Sequence, residues 1–159
     1  MIAREASLED AAAMAAVYNQ GIEDRVGTFE TRPRTPAEVA GWLDGFHPAV
    51  VVEDGGEVIA FAATSAYRAR ECYQGVAEFS VYVARERRGR GAGRVALDAL
   101  VQAAEEAGLW KLVSRIFAEN TASRRLCQAA GFREVGVYER HGMLEGVWKD
   151  CVIVERLLA

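Results

Sequence analysis

The feature that most narrows the possible folds is a strand that runs through a glycine-rich turn into a helix. Residues 76–83, Val-Ala-Glu-Phe-Ser-Val-Tyr-Val, are mostly β-branched, aromatic or small, which predicts a strand. Arg85-Glu86-Arg87-Arg88-Gly89-Arg90-Gly91-Ala92-Gly93-Arg94 follows, and a helical pattern then runs from about Ala92 to Glu106, with Gly108 as its cap. At such a junction unpaired backbone N–H groups point outward and glycines let the backbone approach an anion closely. The helix N-terminus adds partial positive charge, and arginines can pair with further oxygens. A pyrophosphate-bearing cofactor is the natural guest.

The rest of the chain predicts alternating strands and helices. Ser7 with Asp10 resembles a capping box opening a first helix toward Gly21, after a short strand. Thr35-Pro36 with Glu38 starts a second helix through Trp42 and Leu43, which His47-Pro48 ends. Ala49–Glu53 and Glu57–Ala62 flank Asp54-Gly55-Gly56, a hairpin sequence. Beyond the first long helix come a strand over Lys111–Phe117, a helix over Ala122–Ala130 stopped by Gly131, and strands near Phe132–Val137 and Trp148–Val154. With no linker or repeat, residues 1–159 read as one domain of the α+β or mixed α/β class around a single core.

Charge and composition exclude several partners. Hydrophobic residues make up 51% and charged residues 26%, with a net charge of -4, so nucleic acid would have to bind against the overall sign. Cys72, Cys127 and Cys151 are odd in number and lack CxxC spacing, which suggests neither a disulfide framework nor a zinc site and fits a reducing cytoplasm. Arg4, Glu5, Glu9 and Asp10 stand where a secretory signal would need an apolar run, and no apolar stretch approaches bilayer length, so no membrane segment is expected. His47 and His141 have no partners at ligand spacing, so no metal and no role is assigned to them.

Three anion-binding readings compete for the turn, beside that of an ordinary basic helix start on a solvated face. It lacks GxxxxGK[ST], and Arg94 occupies the last glycine position of GxGxxG. Arg88 to Gly93 matches R/Q-x-x-G-x-G/A, the coenzyme A pyrophosphate turn of the GNAT acetyltransferases. Asn120-x-x-Ser123 and Gly131-Phe132 follow one helix and one strand later, in the order of the second half of the GNAT cofactor site. Beyond the superfamily, the chain resembles the phosphinothricin and arsinothricin N-acetyltransferases from near residue 18 onward. The resemblance is carried by YNQGIEDRVGTFETRPRT, YRARECYQGVAEFSVYV, WKLVSRIFAEN, GFREVGVYERHG and GVWKDCVIVERLL. Within that family the segments resemble the arsinothricin-resistance branch.

The resemblance implies a GNAT fold, acetyl-CoA as acetyl donor, a small amine as acceptor and a homodimer. It implies Glu78 as general base, and Val81, Tyr82 and Val83 holding the pantetheine arm through their backbone. Arg88, Gly89, Arg90, Gly91, Ala92, Gly93 and Arg94 would hold the pyrophosphate, with Asn120 and Ser123 on the pantetheine or its phosphates. Phe29, Arg68, Arg70 and Tyr73 would line the acceptor pocket.

The chemistry agrees. An amine is mostly protonated at neutral pH, and a carboxylate within reach supplies the base; burial of Glu78 in an apolar strand would raise its pKa toward the working range. Arg68 and Arg70 alternate on one strand end, so two guanidinium forks on one face suit a doubly anionic, glutamate-like acceptor. An oxyanion site is expected where the strand splays near Val81 or Tyr82. Two positions depart from the family. Cys127 stands where the wider superfamily often has a tyrosine proton donor, and is read as a packed helix cysteine. Leu144 stands where relatives often carry a basic residue. Alternatives are an acetyltransferase for methionine sulfoximine, another amino acid or a peptide N-terminus, and a non-catalytic coenzyme A sensor.

Overall fold

The hairpin at Asp54-Gly55-Gly56 forms as the glycines require, with φ of 61° and 83° at Gly55 and Gly56. Around it, a computed structural model describing residues 1–159 shows seven strands and four α-helices. In chain order these are β1 (Ile2–Glu5), α1 (Ala11–Asp24), α2 (Pro36–Ala40), β2 (Ala49–Asp54), β3 (Glu57–Ala66), β4 (Val76–Val83), α3 (Ala92–Glu106), β5 (Lys111–Phe117), α4 (Thr121–Ala129), β6 (Arg133–Leu144) and β7 (Val147–Leu157). The sheet order is β1-β2-β3-β4-β5-β7-β6. All neighbours are antiparallel except β4 and β5, which are parallel and joined by α3. This is the mixed α/β class expected.

Both faces of the sheet are covered, which explains why the central strands read as continuous apolar runs. Val50, Val52, Ala60, Ala62 and Phe79 pack with Ala96, Leu97, Leu100, Val101 and Ala104 of α3. Val51 and Phe61, pointing the other way, meet Met14, Val17, Tyr18 and Ile22 of α1 and Val39 of α2. The apolar residues of α3 fall on one stripe because they repeat at helical spacing. Leu97 and Leu100 are fully buried, so truncating either to Ala costs about 2–5 kcal/mol.

Three element boundaries differ from expectation. Helix α1 continues past Gly21 to Asp24, and Gly21 marks a close approach: a Cβ there would lie 3.0 Å from Tyr82 Cδ1. Helix α2 ends at Ala40, after which Trp42 and Leu43 sit in a turn and pack on the α1 side of the core. The last two strands are longer than their apolar segments and form a hairpin through Glu145 (φ 48°) and Gly146 (φ 81°). Strand β6 is an edge strand exposed along nearly its whole length, so it carries no alternation from which a strand is recognised.

The pairing that positions the site is the shortest in the sheet. Strand β4 meets β5 only at Val76↔Lys111, Ala77↔Leu112 and Glu78↔Val113. Beyond Glu78, β4 continues on β3 alone, while β5 continues on β7 as far as Phe117↔Cys151. The sheet therefore splays open between the two strands. Ser114 stands at the fork and donates its hydroxyl to the Phe79 carbonyl at 2.9 Å.

Candidate active site

The glycine-rich turn leaves β4 through a short 3-10 segment at Arg85–Arg87 and enters α3 at Gly91. Gly89 and Gly91 have φ of 77° and 89°, where L side chains are strained, and nothing lies within 4 Å of a Cβ built on either. No side chain caps α3, so its first-turn N–H groups are open to an anion. These features fit the pyrophosphate of acetyl-CoA. Gly93 serves packing instead: a Cβ there would lie 3.2 Å from Leu126 and 3.5 Å from Val83.

The arginines around the turn are mostly paired with carboxylates. Arg85 is paired with Asp24 and Glu23, Arg87 with Asp54 and Glu57, and Arg94 with Asp98. Arg88 reaches Asp24 at 2.7 Å and donates to the Val83 carbonyl. Arg85, and then Arg88, hold the Asp24 carboxyl at about 2. This clamp between α1 and the turn is thus complete above the ordinary carboxylate range and is lost only as pH falls toward 2. Arg90 alone in the turn has no carboxylate partner, as is true of Arg125 on α4.

Val81, Tyr82 and Val83 lie beyond the fork, paired with β3 on one side and open on the other. Their backbone is unpaired on the β5 side, while the Tyr82 side chain is engaged: it stacks on Phe61, meets Tyr18 edge-on at 4.9 Å, and points its hydroxyl at the Gly27 carbonyl. Burial pushes its phenol well above the usual range. Asn120 is the N-cap of α4, its Oδ1 accepting from the Ser123 N–H at 3.2 Å while its Nδ2 donates to the Val26 carbonyl at 2.9 Å.

Glu78 sits where the parallel pairing ends, but it is not buried among apolar groups. Its side chain retains 27% of its exposure, and Oε1 accepts a 3.0 Å hydrogen bond from Arg115 on β5. Arg115 lies two residues beyond Val113, the register partner of Glu78, and so projects from the same face. Sequence reasoning missed it because the pair exists only once the β4–β5 register is known.

Arg68 and Arg70 lie beyond the end of β3 rather than on it, in the exposed connection to β4. They are gathered by two rings: Arg68 stands 4.4 Å over Tyr67, Arg70 lies 6.0 Å from Tyr73, and the tyrosines meet edge-on at 5.5 Å. Neither arginine has a carboxylate partner. Phe29 packs edge-on against Phe117 at 4.9 Å and lines a cleft of about 350 Å3 with Thr28, Glu30, Arg115, His141 and Cys151. His141, to which the sequence assigned no role, is therefore a wall of this cleft. It enters at an irregularity of β6 between Tyr138 and Gly142, where Arg140 has φ 47° and donates its N–H to Asp150, a placement with no local signature. Tyr73, Arg68 and Arg70 do not line that cleft.

The two departures have structural counterparts. Cys127 is buried at 2% exposure and burial pushes its thiol up to about 12, so it is a packing residue and a poor proton donor. Leu144 is buried with Phe117 and Cys151 in a small cluster on which Phe29 packs, so it is a packing residue behind the cleft wall. The structure has no cluster of His, Cys, Asp and Glu able to hold a metal, and no helix long and apolar enough to cross a membrane.

Comparison with known proteins bears on this geometry directly. The acetyltransferase (GNAT) family model matches residues 14–132. The chain is 34% identical to a phosphinothricin N-acetyltransferase of Streptomyces coelicolor, over 94% of this chain and 92% of that protein. It is 31% identical to an L-methionine sulfoximine/L-methionine sulfone acetyltransferase of Pseudomonas paraeruginosa, over 96% of this chain and 91% of that one. The crystal structure of a GNAT superfamily phosphinothricin acetyltransferase from Sinorhizobium meliloti in complex with AcCoA superposes with a TM-score of 0.92 at 30% identity, covering 99% and 88% of the two chains. By the family match and by these full-length similarities, the chain belongs to the GNAT acetyltransferase family.

Proposed function

We propose that the protein transfers the acetyl group of acetyl-CoA to the α-amine of a small anionic, glutamate-like amino acid of the phosphinothricin or arsinothricin type, acting in the cytoplasm and conferring resistance to it. One observation carries this reading: Glu78 stands at the mouth of the fork, and the connection just beyond its β3 partner Ser65 carries Arg68 and Arg70 with their charges unspent. In a chain of net charge -4, exposed cations held together without carboxylates are suited to an anionic ligand.

Bound acetyl-CoA supplies a thioester carbonyl activated for acyl transfer. Glu78 takes a proton from the acceptor's ammonium, directly or through one water, while Arg115 holds one carboxylate oxygen and leaves the other free. Backbone N–H groups of β4 facing the gap beyond Glu78 receive the negative charge that develops on the carbonyl oxygen. The C–S bond breaks with its electron pair on sulfur, and the departing thiolate, whose conjugate thiol has a pKa of about 8.5 if cysteine-like, takes its proton from solvent, since Cys127 is buried.

A second reading, methionine sulfoximine as acceptor, is favoured by the Pseudomonas relative and by Phe29 and Phe117 in the cleft wall, because an aromatic wall suits a less anionic side chain. Thiol release from acetyl-CoA with phosphinothricin, arsinothricin, methionine sulfoximine and a peptide amine separates the two. Preference for the first two supports the primary reading, preference for the third supports the second, and release with none refutes both. We also infer a homodimer from the exposed Val135, Val137, Tyr138, Val147 and Trp148 on the β6–β7 hairpin, an unprotected edge of the sheet. A light-scattering mass equal to the 17.4 kDa monomer would exclude it.

A further inference from the structure

The segment from Arg25 to Glu30 joins the two halves of the site, and its attachments are unusual. Arg25 ends α1 in the left-handed region at φ 58°, and its guanidinium pairs with Glu145, itself at φ 48° in the β6–β7 turn. Two of the three non-glycine residues with positive φ are thus bonded to each other, the third being Arg140. Non-glycine residues persist in this region only where the surroundings hold them there.

Next along the segment, the Val26 carbonyl accepts from Asn120 Nδ2 at 2.9 Å and the Gly27 carbonyl accepts from the Tyr82 hydroxyl at 3.5 Å. Phe29 then packs on Phe117 and against Gly142, where a Cβ would lie only 2.6 Å from its ring. Asn120 and Tyr82 stand at positions that the resemblance assigns to the cofactor. Both side chains are turned instead toward the segment that carries Phe29.

We propose that Asn120 is a positioning residue for the acceptor side: its carboxamide caps α4 with one end and tethers the 25–30 segment with the other, setting where Phe29 closes the acceptor cleft. This rests on the proposed acetyl transfer only for its kinetic consequence, since the tether is a property of the resting protein. The two ends of the carboxamide are separable by substitution. Serine is itself a favoured N-cap, so Asn120→Ser keeps an acceptor for the Ser123 N–H while deleting the donor to Val26, and it adds no charge near the phosphate turn.

Hydrogen exchange and steady-state kinetics on Asn120→Ser test this. The expected result is exchange at residues 26–30 accelerated about fivefold, the size of one lost neutral hydrogen bond, with the amides of α4 unchanged. With the preferred acceptor, its KM rises about fivefold while the acetyl-CoA KM stays within twofold. Glu145→Gln, which loosens the same segment at the adjacent Arg25, gives the same signature, and the double variant shows less than the product of the two effects because both act through one segment. Unchanged exchange at residues 26–30 overturns the tether even if no acceptor is ever found. A rise in the acetyl-CoA KM exceeding that for the acceptor overturns the positioning role and returns Asn120 to the cofactor.

Discussion

The glycine-rich turn is a single stretch of chain, whereas the cleft around Phe29 is assembled from the segment after α1, from β5, and from the irregular middle of the β6–β7 hairpin. The turn depends on backbone: positive φ at Gly89 and Gly91 and the uncapped start of α3. The cleft depends on side chains that meet only after the sheet has formed, such as Phe29 with Phe117. On the proposed function, cofactor recognition therefore travels with a short local motif, while acceptor choice is spread over distant positions.

The largest expected effect lies at the junction of the two regions. Glu78→Ala should lower turnover by about a hundredfold or more while leaving acetyl-CoA affinity nearly intact, because it removes a base and not a binding contact. Turnover like that of the parent in a single-turnover assay would remove Glu78 from the mechanism. The regions themselves are separated by a matched pair. Gly91→Val places a β-branched residue at φ 89° and should raise the acetyl-CoA KM by about tenfold with little effect on the acceptor. Arg70→Ala should do the reverse, by about tenfold, through loss of a charged hydrogen bond. If both variants change both constants equally, the division into a cofactor end and an acceptor end fails.

The smallest effect concerns the thiols. Cys72 is exposed, whereas Cys127 and Cys151 are buried with their thiols pushed up by burial. In native protein at neutral pH a thiol reagent should titrate one group quickly, and three only after unfolding. Rapid labelling of Cys127 would show that the α4 side of the fork opens far more readily than the packed structure indicates.

How much of this was legible depended on how local each signal is. Strand β4, helix α3 and strand β5 have the bounds their patterns predict, because each pairs a strong apolar period with glycine punctuation. Helix α2 was overextended, since Trp42 and Leu43 are apolar for packing under α1 and not for helix formation. Strand β6 was cut short because Glu139, Arg140 and His141 interrupt its pattern, although its edge position leaves them free to face solvent. In the site, Gly89 and Gly91 were readable as open backbone. The pairing of Arg85, Arg87 and Arg88 with carboxylates of α1 and of the β2–β3 hairpin was not, since nothing near those arginines announces Asp24, Asp54 or Glu57.

The sequence by itself determined the order of elements, the positive-φ turn at the head of α3 and the presence of a carboxylate within β4, because these follow from steric and periodic rules acting over a few residues. Only the tertiary structure decided where β4 and β5 part, which cations remain unpaired, that Arg115 and His141 line the cleft beside Phe29, and that Asn120 bonds the Val26 carbonyl. Those outcomes depend on register and on long-range charge pairing. Neither is local: a one-residue slip of β5 against β4 would turn Arg115 to the opposite face and leave Glu78 without its partner.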